Sequence, residues 1–425
     1  MAELTSVTRN WAGNIRFRAA RVHRPSTVDE LRRIVGGAEQ VRALGSGHSF
    51  NEIADTTGDL VTLDGLPPEL SIDRAAGTAT VAAGLRYADI CEQIHAAGFA
   101  LPNLASLPHI SVVGACATAT HGSGVGNRSL ASVVSGLELI GPEGDLVRLS
   151  RAADGKRFDG AAVHLGALGI VTRVTLDLVP TFDIAQSVYT GFPLEQLAER
   201  LDEVLSAAYS ASAFTDWCGP DAQIWLKQQT ALADPAPDTD PWPGSEAVLA
   251  DRPLHPIPGV PPTHCTEQLG VPGPWHERLP HFRADATPSA GEELQSEFFL
   301  PHEAVPAAFA ALRDLGPQLA PLLQISEVRA VAAEELWLSP AYRRDSVAVH
   351  FTWIKDPAAV APVLAAMEQQ LLPLGARPHW GKVFGTDPAQ VVGLYERADD
   401  FRELMVSMDP AGKFGNDFTA ALFGN

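Results

Sequence analysis

Val41-Arg42-Ala43-Leu44-Gly45-Ser46-Gly47-His48-Ser49-Phe50 is a short apolar run that ends in Gly-Ser-Gly and a histidine. Glycine permits close backbone approach and unusual dihedrals. Successive exposed N–H groups in such a turn form a nest for an anion. The stretch therefore reads either as a cradle for a phosphate or other large cofactor group, or as a tight turn with a surface histidine. A second glycine- and hydroxyl-rich stretch, Ser111-Val112-Val113-Gly114-Ala115-Cys116-Ala117-Thr118-Ala119-Thr120-His121-Gly122-Ser123-Gly124, strengthens the cofactor reading.

The chain has 425 residues and is 46% hydrophobic, which predicts two well-packed domains rather than one core. Acidic residues outnumber basic ones 51 to 31, for a formal charge of -20. That balance argues against nucleic acid or an anionic membrane as the main partner. Cys91, Cys116, Cys218 and Cys265 are far apart and form no CxxC pair. Neither a disulfide framework nor a zinc site is suggested. Met1-Ala2-Glu3-Leu4-Thr5 shows no basic region leading into an apolar run, and no segment reads as a membrane span. The expectation is a reduced, cytoplasmic protein.

Around the opening stretch, Ser26 or Thr27 can cap a helix whose apolar face is Leu31, Ile34 and Val35. Short strands are expected near 39–44, 60–63 and 78–81. Leu85, Ala88, Cys91 and Ile94 recur at helical spacing, with Gly98 as the stop. Leu101 to His109 holds two prolines and reads as ordered but irregular. Gly141-Pro142-Glu143-Gly144 between leucine-rich runs signals a hairpin, and a strand follows Gly166-Ala167-Leu168-Gly169-Ile170. Pro180 marks a domain boundary. The expected units are 1–180, 181–372 and 373–425.

In the middle unit, Leu194 to Leu205 reads as one helix. The stretch 235–280 is dense in proline and is either a linker or an ordered excursion. Trp242, Cys265, Leu269, Trp275 and Phe282 favour a packed excursion. Three later strands carry polar groups on one face: Gln295 with Glu297, Glu327 with Arg329, and His350 with Thr352. These faces either point to solvent or meet in an antiparallel sheet as a binding wall. Residues 359–374 read as a helix. His379-Trp380-Gly381-Lys382 and Asp409-Pro410-Ala411-Gly412-Lys413-Phe414-Gly415-Asn416 are compact, polar and glycine-containing, as sites are.

No GxGxxG fingerprint follows a strand, and neither a Walker A sequence nor a GxSxG elbow occurs. His276 and His281 are a poor metal pair, and no metal is expected.

The motifs Leu44-Gly45-Ser46-Gly47-His48-Ser49-Phe50-Asn51, Leu101-Pro102-Asn103-Leu104-Ala105-Ser106-Leu107-Pro108-His109-Ile110-Ser111 and Ala119-Thr120-His121-Gly122-Ser123-Gly124 resemble those of the vanillyl-alcohol-oxidase-type flavoproteins. Within them, Gln295, Glu327-Val328-Arg329, His350-Phe351-Thr352-Trp353 and His379-Trp380-Gly381-Lys382 are similar to the bacterial alditol (xylitol) oxidases, and the resemblance spans the chain. It implies an α+β fold: a two-part FAD-binding domain of that type, with an intervening mixed α/β substrate domain containing an antiparallel sheet. It implies FAD attached covalently through His48. Gly45, Ser46, Gly47, Ser49, Ser106, Ser111, Gly114, Thr118, His121, Gly122 and Ile170 are the implied further cofactor contacts. It also implies a polyol and O2 as small-molecule partners, with a monomer expected.

The resemblance gives the polar faces roles. His350 is the implied base, and Lys382 holds the developing alkoxide. Arg329 contacts substrate hydroxyls and balances charge on the reduced flavin. Ser106, Gln295, Glu327 and Thr352 bind the remaining hydroxyls. A polyol needs several directional partners, because a buried unpaired polar group costs about 1–3 kcal/mol. Ala105 matches the oxygen gate, where a small residue suits an oxidase. A sugar-lactone or other carbohydrate oxidase is the competing enzyme reading, and a non-catalytic carbohydrate-binding protein the competing class.

Overall fold

The computed structural model describes residues 9–230, 241–286 and 291–424. Besides a two-stranded pair of Phe99–Ala100 with Val179–Pro180, three larger sheets organise it. The smallest of the three is parallel, in the order Arg21–His23, Asp59–Thr62, Val41–Leu44. Helix Val28–Gly37 covers it through Leu31 and Val35, and the Thr27 side chain accepts the Glu30 N–H at its start. The second sheet is antiparallel, in the order Leu70–Asp73, Thr78–Ala82, Ile170–Asp177, Val134–Ile140, Leu146–Ser150. Val174 and Leu176 are buried in it, as their alternation predicts. The hairpin turn closes on Gly144, whose φ of 77° favours glycine.

The third sheet is the largest and wholly antiparallel. Its order is Val248–Leu249, Asp183–Pro193, Asp221–Gln229, Ser210–Thr215, Leu323–Val331, Ser346–Ile354, Glu293–Pro301, Arg377–Pro378, with Gly273–Pro274 beside Asp183–Pro193. Helices Val305–Leu319 and Pro357–Leu371 lie on one side of it. Their Phe309, Leu312, Leu364 and Met367 join Phe298, Val328, Val349, Phe351 and Trp353 in one core. Burying such a side chain stabilises by about 1.5–3 kcal/mol, so this face is fixed against the helices. A one-residue slip would put the whole apolar set on the wrong face, so the same burial fixes the register. The opposite, polar face is thereby aimed at the N-terminal sheets.

The last part of the chain closes back onto the first. The Val41 N–H donates to Lys413 O at 2.9 Å. Buried Arg42 donates to the carbonyls of Gly166, Phe414, Leu165 and Ile53. Asn416 Nδ2 donates to three carbonyls, those of Glu52, Ile53 and Asp55. The segment that completes the first sheet region thus comes from the far end of the sequence.

Two expectations need correction. Leu194 to Leu205 is two short helices, Leu194–Leu197 and Leu201–Leu205, because Arg200 leaves helical backbone at φ -108°, ψ 17°. Arg200 instead bonds Glu203 at 2.7 Å, while Leu194, Leu197, Leu201, Val204 and Leu205 all stay buried. The excursion is ordered over 241–286, with Trp242, Cys265, Trp275 and Leu279 buried. Leu269, however, is 46% exposed at a φ of 61°, a turn position rather than an anchor. Residues 235–240 lie outside the described residues. Among the described residues all four cysteines are free, no group of metal-ligating side chains occurs, and no helix is long and apolar enough to cross a membrane.

Candidate active site

One cavity of about 1970 Å³ runs from the two glycine-rich loops to the polar face of the large sheet. Pockets for drug-sized ligands hold about 300–1,000 Å³. This one has room for a dinucleotide-sized group and a small substrate together.

The loops form one end. Ser46 and Ser111 tie them together: the Ser111 N–H donates to Ser46 Oγ at 2.9 Å. A Cβ on Gly45 would collide with Ser111 Oγ across the two loops, and one on Gly114 would collide with the same hydroxyl from within the second, so glycine at both leaves room for the Ser111 side chain. Ala119, in the second loop, holds φ at 52°, a left-handed conformation that an alanine seldom adopts. Such strain collects at ligand-binding sites. Gly45, Ser46, Gly47, His48, Ser49, Ser106, Ser111, Gly114, Thr118 and His121 all line the cavity, as does Ala105.

His48 sits between the two ends. Its ring stacks on Trp11 with centroids 4.8 Å apart. Burial, with the nearby Lys382 charge, pushes its pKa down to about 4, so the ring is neutral. Its Nδ1 is buried with no hydrogen-bond partner among the described residues. A neutral imidazole with a free, buried nitrogen on the wall of a large cavity fits a histidine that bonds covalently to a cofactor. The loop glycines and this nitrogen together fit FAD.

Gly122 and Ile170 do not line the cavity. A Cβ on Gly122 would meet Asn103 and Leu104 O, so its backbone packs closely against that segment. Ile170 is buried against Val41, Val61 and Phe414.

The sheet forms the other end. Antiparallel pairing sets Gln295 opposite Thr352 and Glu297 opposite His350, and on the other side of that strand sets Glu327 opposite His350. All are buried, with Arg329. The polar faces therefore meet as a wall instead of facing solvent. Lys382 reaches the wall from the segment after Arg377–Pro378. Its Nζ donates to Gln295 Oε1 and lies 5.1 Å from the Phe50 ring centroid. Asn51 holds the Lys382 carbonyl at 2.9 Å. Every expected substrate contact thus lines one cavity.

Charge is nearly balanced inside this wall. Burial raises the pKa of Glu297, but Arg329 and His121 outweigh it and hold the carboxyl well below the usual range. Arg329 donates to Glu297 Oε1, and His121 Nε2 lies 3.2 Å from the same oxygen. Burial also raises Glu327, and Arg329 with His281 reverses that. Burial lowers His350, which stays neutral, and lowers Lys382 to about 8. His350 Nδ1 faces Glu297 Oε2 at 3.8 Å, and Nε2 lies 3.3 Å from Thr352 Oγ1. A neutral imidazole backed by a carboxylate, beside an amine poised near neutrality, can remove and hold a hydroxyl proton.

Several site residues escaped the sequence. Glu297 shows there only as a neighbour of Gln295 in the alternation. His121, placed among cofactor contacts, also touches Glu297, through a ring whose Nδ1 donates to Gly122 O at 2.8 Å. His379 is buried in the same wall, where its Nδ1 accepts the Gly381 N–H at 3.0 Å. His281 bonds Glu327 and is not paired with His276, which instead lies against His95.

The FAD binding domain family matches residues 19–150, and the D-arabinono-1,4-lactone oxidase family matches residues 291–422. An alditol oxidase from Streptomyces sp. is 50% identical over 418 residues, 97% of this chain and 98% of that protein. An L-gulono-1,4-lactone dehydrogenase from Mycobacterium tuberculosis is 28% identical, covering 99% of this chain and 100% of that protein. The crystal structure of cholesterol oxidase from Brevibacterium sterolicum superposes with a TM-score of 0.76 at 16% identity, covering 98% and 96% of the two chains. That last likeness is one of fold.

Proposed function

This chain belongs to the vanillyl-alcohol-oxidase-type FAD-linked oxidases, in close relation to alditol oxidase, and we propose that it oxidises the terminal primary hydroxyl of an alditol such as xylitol or sorbitol. The product is the aldose, and O2 is the acceptor, giving H2O2. FAD, joined to His48, supplies when bound the hydride-accepting centre at N5 and the route for electrons to oxygen.

The protein's part is binding, proton handling and charge. The observation that carries the reading is the buried wall of Gln295, Glu297, Glu327, Arg329, His350, Thr352 and Lys382 at one end of the cavity. A run of hydroxyls matches such a wall, and an apolar alcohol would leave it unpaired at about 1–3 kcal/mol per group. His350 Nε2 takes the hydroxyl proton. Glu297, on the Nδ1 side, steadies the imidazolium that forms, as a carboxylate does behind a catalytic histidine. Lys382, with the Gln295 carbonyl fixing its Nζ, stabilises the alkoxide. Arg329 supplies a fixed positive charge, and Glu327, Thr352 and Ser106 receive the remaining hydroxyls. Ala105 lines the cavity and leaves room for oxygen.

The match of residues 291–422 to a lactone oxidase family keeps a sugar lactone as the second reading. A substrate panel separates the two: oxygen uptake and peroxide are measured with xylitol, sorbitol, mannitol, glycerol and a sugar 1,4-lactone. The alditols are expected to turn over fastest. A lactone oxidised much faster than every alditol would overturn the proposal.

A further inference from the structure

The proline-rich excursion lines the cavity with His255, Pro256, Ile257, Val260, His281 and Phe282, and among these His281 is buried and bonded to the polar wall. Its backbone N–H donates to Ser106 O at 3.1 Å, and the Phe282 N–H donates to the same carbonyl at 3.3 Å. Its ring Nε2 lies 2.8 Å from Glu327 Oε1. Its Nδ1 lies 3.0 Å from Nζ of Lys227, a fully buried lysine on the strand Asp221–Gln229. Lys227 also donates to Leu279 O. Trp225 and Phe214 box the ring edge-on, with centroids 5.3 and 5.5 Å away.

The chemistry of these neighbours permits one arrangement. A carboxylate only accepts, so Nε2 must carry a proton and donate to Glu327. In a neutral ring Nδ1 then presents its lone pair to Lys227, whose amine, lowered by burial to about 7, donates an N–H in either charge state. The ring is then neutral with its proton on Nε2. Burial agrees with this, pushing the His281 pKa down to about 4. Without that donor, Glu327 Oε1 keeps, among the described residues, Arg329, whose Nε is 3.7 Å away and whose other arm already holds Glu297.

We propose that His281, held in one tautomer between Glu327 and Lys227, is a positioning residue that sets Ser106 and Glu327 together for hydroxyls of a polyol other than the one that reacts. This rests on the alditol reading above. One excursion residue then sets the preference for chain length. A five-carbon polyol uses both contacts, and glycerol, which has fewer hydroxyls, draws less on them.

The test uses the holoenzyme with His281→Phe and His281→Gln. His281→Phe is expected to raise the KM for xylitol about tenfold, the size of one lost hydrogen bond, with kcat and the glycerol KM little changed. His281→Gln keeps an N–H for Glu327 and is expected to restore most of the xylitol KM. An equal KM rise for both substrates, or none for either, would overturn the inference. Nitrogen NMR of the histidines in the wild-type holoenzyme needs no activity and no variant fold. It is expected to show His281 neutral with the proton on Nε2 between pH 6 and 8. A proton on Nδ1 would overturn the relay even if every alditol were oxidised. Absence of alditol oxidation by the wild type would instead sink the substrate reading and leave the relay to the NMR result.

Discussion

His350 Nδ1 lies 3.8 Å from Glu297 Oε2 across a cross-strand pair, with Arg329 bonded to the other oxygen of the same carboxylate. The pair is buried, and the low local dielectric makes the charge count. Glu297→Gln keeps the shape and removes the charge that steadies the imidazolium. Flavin reduction by xylitol is expected to slow about 100-fold or more in anaerobic stopped-flow, within the span of general-base effects. A rate within about twofold of wild type would remove Glu297 from the chemical step.

Lys382 and His350 together shape the pH dependence of that step. His350 must be neutral to accept a proton, and burial holds its pKa below its ordinary 6.5. The acid limb should therefore fall below pH 6.5. Lys382 must be charged to hold the alkoxide, and burial lowers it to about 8. Reduction should thus decline as the pH rises through about 8. Lys382→Ala is expected to slow reduction far more than reoxidation and to abolish the alkaline limb. An unchanged reduction rate would exclude Lys382 from the chemistry.

His48→Ala is expected to abolish covalent attachment while the two loops still bind some flavin. After acid denaturation the variant should release its yellow chromophore, where wild type should retain it on the protein. A chromophore that stays attached in the variant would refute the assignment.

Acid should weaken the fold before the carboxylates titrate. His164 and His281 are buried, and burial pushes each from 6.5 to about 4. Between those values the unfolded chain binds more protons than the native one. Stability from these groups is full above pH 6.5 and is lost as pH falls toward 4. Urea unfolding at pH 7, 5.5 and 4.5 should show this decline. His164→Asn should lessen it, because an amide oxygen can replace Nδ1 as acceptor of the Gly166 N–H, now at 3.0 Å. Stability that is flat from pH 7 to 4.5 would contradict the neutral assignment.

The sequence carried the parts of the site that rest on local rules. Gly-Ser-Gly before His48 and the alternation through His350 and Thr352 each fix a backbone shape or a face. It could not tell whether the polar faces met, because that depends on strand order. Leu323–Val331 and Glu293–Pro301 flank Ser346–Ile354 through long-range pairing. Glu297 was hidden for this reason. Its role comes from Arg329 and His121, which arrive from distant segments. His281 and Lys227 were hidden more deeply, since a histidine in a proline-rich stretch and a lysine in an apolar strand acquire meaning only when Glu327 lies beside them. The break at Arg200 is a tertiary choice that helix periodicity does not register.

Alditol oxidation at this site is read out by mixing the holoenzyme with xylitol under anaerobic conditions, following the visible flavin spectrum, and then admitting oxygen. Bleaching, then rapid recovery of the oxidised spectrum with formation of peroxide, is the expected result. Bleaching with slow recovery would keep the substrate but contradict the oxidase. A spectrum unmoved by xylitol and other alditols, in protein that holds its FAD, would rule out alditol oxidation.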